Sequence, residues 1–337
     1  MSRSPAPIVL VDDRLRYGVH VGKKRSLYAS LEPMMNSPLF SFQIFVTSPR
    51  GGQTRFDAKD CERTRKLLKS HDRYLVIHGR YTCNCCGTKD PQDTDLESKI
   101  DLYSKEIAEQ LDIGVALGDV GVIVHFGSCL DAKKGEQQMI ELCTKALTRQ
   151  SKHTQAAAKS LEISEKQLIA RRRLILENCA GEGDKIGYTL KSVARVLKGI
   201  TERTSANNVT VCIDTQHAFA AALFNANLVE DVERFLVEFD RRIGLDRLEL
   251  FHLNDSKVPW GHRTDRHECL GLGYLFDPVD NGGLRTLLEF SMSRRIPLIC
   301  ETDSGIYDRA VLTNIVVPEL EVAVGDTRGA MELVVFP

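Results

Sequence analysis

Short apolar runs recur along the chain, each followed by a segment whose apolar positions carry helical spacing. Tyr17–Val21, Phe40–Val46, Tyr74–Ile77, Val120–Val124, Leu174–Leu176, Thr210–Ile213, Leu248–Leu250 and Ile296–Cys300 read as strands. Helices are expected over Leu27–Met35, Lys59–Ser70, Asp95–Leu111 with Thr94 as N-cap, Gly135–Arg173, Tyr188–Thr201, Leu228–Ile243 and Leu284–Ser293. Strand and helix alternate eight times, which argues for a parallel (β/α)8 barrel of the TIM type in a single α/β domain. The barrel is expected over 17–304, after an N-terminal extension at 1–16. A helical insertion is expected near 153–173, and 305–337 forms a C-terminal segment that packs on or extends the barrel.

Composition narrows the class. With 337 residues, 42% apolar and 27% charged, the chain has the balance of a soluble globular protein large enough to bury a core. The net charge of −1 gives no global field for nucleic acid, which leaves room only for a local basic groove. The start, MSRSPAPIVLVDD, lacks the long apolar core of a secretion signal, and no apolar run reaches membrane-spanning length. An intracellular protein, nuclear or cytoplasmic, is therefore expected. The ten scattered cysteines fit reduced thiols better than a disulfide framework. Cys83-x-x-Cys86, with Cys85 between, has redox or zinc spacing but no second such pair, so ordinary thiols are expected there.

The chemistry stands at the strand ends. His78, His125, Glu177, Asp214, His252 and Glu301 each follow an apolar run directly. In a (β/α)8 barrel those ends meet on one rim, where active sites of this fold are built. His217 lies three residues after Asp214, and Asp265-x-His267 puts a carboxylate and an imidazole on one side of an extended segment. Five histidines and four carboxylates result. With neutral histidines the set carries four negative charges, which two divalent cations balance and a third exceeds, leaving positive charge for an anionic substrate. A nitrogen–oxygen donor set without cysteine favours zinc, with manganese or iron as alternatives. Such a cluster activates water and holds both the entering and the leaving oxygen of a phosphodiester.

HLNDSK, the DRH after it, LENCAGEG, CIDTQHAFAA and the Glu301-Thr302 strand end resemble the signatures of the endonuclease IV family of apurinic/apyrimidinic endonucleases. The resemblance is collinear over about 17–304. It implies a monomeric zinc enzyme of base excision repair that cuts double-stranded DNA 5′ to an abasic site. The products would be a 3′-hydroxyl and a 5′-deoxyribose phosphate, and 3′-blocking groups would be removed too. Carried over by position, one zinc takes His78, His125 and Glu177. A second shares Glu177 and takes Asp214, His252 and Glu301. The third takes His217, Asp265 and His267, and one of the three sites is open to manganese. Glu177 and Glu301 are the carboxylates given a catalytic part, with a hydroxide between the first two ions attacking phosphorus.

Departures from the family pattern lie outside that set. His125-Phe126-Gly127 replaces His-Pro-Gly, and Leu270-Gly271-Leu272-Gly273 replaces Ile-Gly-Glu-Gly. After the second strand the family's Asn, Arg and Gln that probe the duplex reduce to Arg50; after His78, Tyr81 matches an aromatic wedge but Thr82 follows it. Arg50 and Tyr81 are accordingly the expected DNA contacts. Arg171–Arg173 reads as a solvated helix end, and His20 reads either as lining the site or as a buried imidazole. A divalent-metal sugar isomerase on a related barrel is the competing enzyme class, and a non-catalytic damage-binding protein the competing non-enzyme.

Overall fold

The computed structural model describes residues 15–50, 52–204, 208–277, 279–302 and 312. Ten strands run in chain order: β1 (Tyr17–Val21), β2 (Ser41–Ile44), β3 (Tyr74–His78), β4 (Gly121–His125), β5 (Leu174–Glu177), β6 (Val209–Asp214), β7 (Leu248–His252), β8 (Asp255–Ser256), β9 (His267–Glu268) and β10 (Leu298–Cys300). Eight of them close a parallel barrel in the order β1-β10-β7-β6-β5-β4-β3-β2, while β8 and β9 pair as a separate antiparallel hairpin. The helices are α1 (Leu27–Leu31), α2 (Ala58–Ser70), α3 (Leu96–Ala116), α4 (Ala132–Thr148), α5 (Thr154–Ser160), α6 (Glu165–Ala170), α7 (Leu190–Thr204), α8 (Thr215–Ala220), α9 (Val229–Arg242) and α10 (Gly282–Arg294). The expected TIM barrel is therefore the observed fold. Of the two expected end segments, 1–14 and all of 303–337 except Leu312 lie outside the described residues. Leu312 is buried in the main core.

Two cores divide the apolar side chains, and the period-2 geometry of strands decides the split. Val76, Ile123, Ile175, Cys212, Leu250 and Ile299 fill the barrel interior. Their chain neighbours, such as Leu75, Ile77, Val122, Val124, Leu174, Leu176, Val211 and Ile213, point outward into the helix layer. A step of two from each interior residue lands on His78, His125, Glu177, Asp214, His252 or Glu301. The same alternation that packs the barrel thus aims six polar side chains at one rim. At the opposite end, Tyr74 and Arg173 both reach Glu249, with Arg173 Nη2 at 2.7 Å from each carboxylate oxygen. Glu249 is the residue skipped where the β6–β7 pairing passes from Val211↔Leu248 to Cys212↔Leu250.

Several helical expectations change in detail. The region 135–173 is three helices rather than one. Glu162 adopts φ 57°, and a capping box between Ser164 and Gln167 starts α6 afresh. Thr94 is not the N-cap of α3: Asp95 occupies that position without a side-chain cap bond, and its own N–H donates to Asp93 Oδ1 at 2.9 Å. Arg172 is the clearest correction to the sequence reading. It is buried, not solvated, and its guanidinium bonds Asp112 Oδ1 at 2.7 and 2.9 Å. Its remaining donors reach the carbonyls of Ala146 and Arg149, while Ser151 and Thr154 hydroxyls complete Asp112 Oδ2. Arg171 and Arg173 pair with Asp119 and Glu249.

Candidate metal centre

His78, His125, Glu177, Asp214 and His252 are the last residues of their strands, still in ladder register, and hydrogen bonds decide which atom each turns inward. His78 Nδ1 donates to the Gly79 carbonyl at 2.7 Å, leaving Nε2 to face Glu177 Oε2 at 3.5 Å and His125 Nε2 at 3.2 Å. His125 Nε2 lies 3.4 Å from the same carboxylate oxygen. His217 Nδ1 donates to the Asn178 carbonyl at 2.9 Å, so its Nε2 faces Asp265 Oδ2 at 3.3 Å. A backbone or carboxylate partner of this kind fixes the tautomer and aim of metal-binding imidazoles.

The CIDTQHAF segment folds into α8, a helix absent from the sequence expectation. Asp214 is its N-cap, with Oδ1 accepting the His217 N–H at 2.8 Å. That leaves Oδ2 for the rim and places His217 one turn on, beside it. Asp265 and His267 arrive by the hairpin. Asp255 is fully buried and accepts the backbone N–H groups of Ser256, Gly271, Gly273, Leu275 and Phe276, which pins the returning chain. A Cβ at Gly273 would lie 2.5 Å from Asp255 Oδ1, so Gly273 is a packing requirement, while Gly271 takes a φ of 76° that favours glycine. Asp265 Oδ1 then sits 3.4 Å from His267 Nε2.

Three groups emerge whose ligand atoms lie within 4.8 Å of one another: His78 with His125 and Glu177; Glu177 with Asp214, His252 and Glu301; Asp214 with His217 and His267. The first two are the sets carried over from the sequence. In the third, Asp214 closes the group, and Asp265 lies outside it while touching both rings. Glu177 joins the first group to the second, and Asp214 the second to the third. The donor chemistry fits divalent cations. Among the described residues, Glu177 Oε2, His217 Nε2 and His267 Nε2 are buried atoms without a hydrogen-bond partner, and all three belong to these groups.

Electrostatics follow from crowding acids and imidazoles in a dry rim. Burial opposes charge at Glu177, yet His125 and His252 hold its carboxyl well below the usual range. Glu301 likewise works against burial and is drawn down to about 2 by His252. Burial also opposes charge at His217, but Asp214 and Asp265 overcome it and hold the ring up at about 10. His125 is pushed down to about 4 by burial, against the pull of Glu177. His20, from β1, falls to about 4 for the same reason and bonds Gln43 at 3.0 Å. It lines the rim without joining a group.

Of the expected DNA contacts, Tyr81 stands beside the rim histidines His78 and His125. Tyr81 is 59% exposed, with its ring 5.1 Å from that of His78 and 5.3 Å from that of Phe45. Arg50 is exposed on the loop after β2. Arg80, on the loop after β3, donates to the Gly52 carbonyl of the loop after β2 and pairs with Glu106 of α3. Phe126, where the family pattern has Pro, covers Gly187, whose φ of 79° and lack of Cβ admit the ring. Cys83, Cys85 and Cys86 are free, with the Cys83 and Cys85 sulfurs 4.0 Å apart. Sequence reasoning passed over Gln43, Asn178 and Asn254, which bind the ligands rather than resemble them. Asn254 Nδ2 donates to Asp214 Oδ2 at 2.7 Å and to Glu301 Oε2 at 3.2 Å. Strand parity was the available signal for Gln43, which shares the inward face of β2.

A family model described as a xylose isomerase-like TIM barrel matches residues 40–312. A protein of Geobacillus sp. (strain WCH70) named probable endonuclease 4 is 28% identical over 294 residues, covering 86% of this chain and 87% of that one. One of the same name from Nitrosopumilus maritimus is 27% identical over 292 residues, with 86% and 93% covered. Among solved structures, endonuclease IV from Thermus thermophilus superposes with a TM-score of 0.68 at 27% identity, covering 91% of this chain and 99% of that chain. A D-tagatose 3-epimerase-like protein reaches a TM-score of 0.59 at 17% identity, covering 92% and 100%, a likeness of fold alone.

Proposed function

The chain belongs to the xylose isomerase-like TIM barrel family, and from that premise we propose that it is a metal-dependent apurinic/apyrimidinic endonuclease of the endonuclease 4 kind. It is an enzyme, a hydrolase of the nuclease type, as its relatives named endonuclease 4 indicate. The observation that carries the finer reading is the chain of three linked ligand groups on one rim, joined by Glu177 and Asp214. A sugar isomerase needs fewer such groups than this rim provides.

The nine residues His78, His125, Glu177, Asp214, His217, His252, Asp265, His267 and Glu301 would hold the cations, three zinc ions or two with one manganese. Bound there, such ions activate water at neutral pH and neutralise charge on the scissile phosphate. The chain's own part is to hold the donors in place. Glu177 ties two groups at a fixed spacing, and Glu301 closes the second. His78 and His217 present Nε2 because backbone carbonyls hold their Nδ1 hydrogens. Arg50 and Tyr81 would meet the duplex, Tyr81 as an aromatic wedge that offsets unstacking at a lesion. The substrate is duplex DNA with an abasic site, cut on the 5′ side to leave a 3′-hydroxyl, and 3′-blocked ends enter the same hydrolysis. A monomer acting in base excision repair, in the compartment that holds the DNA, completes the reading.

The test is a gel assay on an abasic duplex and its intact counterpart, beside elemental analysis of the same preparation and a panel of aldoses. Two to three zinc equivalents with cleavage at the abasic site are expected. Aldose isomerisation without cleavage, or full cleavage at one zinc or fewer, removes the proposal.

A further inference from the structure

His78 and His217 are aimed by backbone carbonyls, which almost any sequence would supply. His252 is aimed differently. Its Nε2 lies 2.8 Å from Oε1 of Gln43, and its Nδ1 faces Glu177 Oε1 at 2.9 Å and Glu301 Oε2 at 3.4 Å. Gln43 is fully buried on the inward face of β2, a strand that contributes no ligand. Its amide orientation is fixed by its neighbours. Glu301 Oε1, 2.7 Å from Gln43 Nε2, can only accept while the carboxylate is ionised, so that atom is the nitrogen. The other amide hydrogen goes to His20 Nδ1 at 3.0 Å. Oε1 is thus the atom that meets His252, and as an acceptor it requires a hydrogen on Nε2. Nδ1 is left as the ring's metal-facing atom.

We propose that Gln43 is a positioning residue of the centre: one amide sets the tautomer of His252 and the rotamer of Glu301, two donors of the same ligand group. The proposal rests on the reading that this rim holds divalent cations. One side chain couples two ligands on different strands, β7 and β10, through a third strand that would otherwise be silent. Removal of such outer partners typically costs ten- to a hundredfold in metal affinity or activity.

The test compares the parent with Q43M, which keeps length and volume but loses every hydrogen bond. Zinc affinity by chelator competition is expected to fall about tenfold to a hundredfold in Q43M. On an abasic duplex kcat is expected to drop by a similar factor with KM within about twofold, since Gln43 is fully buried and offers no surface to the nucleic acid. Melting of the metal-free variant reports whether it folds. The unaltered protein supplies a second arm, independent of any variant: with 113Cd bound and imidazoles labelled with 15N, His252 is expected to show a hydrogen on Nε2 and cadmium coupling at Nδ1. A folded Q43M with parental zinc affinity, or coupling at Nε2 of His252, overturns the proposal, as does a parent that takes up no divalent ion. If the parent binds zinc but leaves abasic duplexes uncut, the nuclease reading fails while the affinity and cadmium results still decide the role of Gln43.

Discussion

Glu177 is fully buried, has one oxygen without a hydrogen-bond partner, and belongs to two ligand groups at once. Glutamine keeps its size and removes the charge, so Glu177→Gln is expected to slow single-turnover cleavage of abasic duplex by about a thousandfold or more. Duplex affinity should fall far less, because phosphate contacts spread over many loops. Near-parental cleavage by a folded variant would remove Glu177 from the centre. His217 gives a second residue-scale expectation. Its pKa in the metal-free protein is about 10, above the unfolded value of about 6.5. The stability it contributes is complete below that unfolded value and is lost as pH rises toward 10. His252, which Cys212, Glu301 and Glu177 raise against burial, acts in the same direction. Melting temperature measured with chelator should therefore decline between about pH 6.5 and 8.5, before thiols ionise. With zinc the slope reverses, because the ion binds the deprotonated ring. A flat profile in chelator refutes the assignment. At this scale the ligand types were readable from the sequence as residues after apolar runs; their partners were not, because Asn254 has no spacing signature and strand parity turns Gln43 inward without saying which ligands it meets.

Elements carry these residues with different security. The strand ends are fixed by the barrel ladder, whereas Asp265 and His267 depend on the β8–β9 hairpin and on the buried Asp255 that gathers five backbone N–H groups. The loops with Arg50 and Tyr81 are joined through Arg80, so they act as one surface. Arg50→Ala and Tyr81→Ala are each expected to weaken abasic-duplex binding by about 1–3 kcal/mol, with zinc content unchanged. Parental affinity in both variants, by fluorescence anisotropy, would show that other loops open the duplex. Within the helix layer, α5 and α6 are held to α3 through the Arg172–Asp112 pair. Both side chains are fully buried and every charge is partnered. Arg172→Ala strands Asp112 without its cation and should cost about 3–5 kcal/mol in urea unfolding. A loss under about 1 kcal/mol would mean the segment relaxes to admit water. The three consecutive arginines hid this: a charge run usually marks a solvated end, and only packing reveals which member is turned inward.

For the molecule as a whole, the rim is expected to couple cation binding to stability. Donors from the ends of β3 to β7 and from Glu301, just after β10, meet there, so a bound ion would hold strands from most of the barrel circumference. At a free zinc concentration about a thousandfold above Kd, each site adds about 4 kcal/mol. Calorimetry should therefore show a melting temperature that rises with zinc and falls back on chelation. No response to zinc would leave the rim as a structural polar cluster. The sequence by itself determined the barrel and the ring of six strand-end donors, because a period of two residues links interior packing to rim position at every strand. It also carried the resemblance that the Geobacillus and Thermus comparisons bear out. What only tertiary structure decided was contact between residues far apart in the chain: which nitrogen each imidazole presents, that Asp214 links the second group to the third, that Arg172 is buried, and that β2 reaches the centre through Gln43. Those outcomes depend on distances across the barrel, which no local pattern encodes.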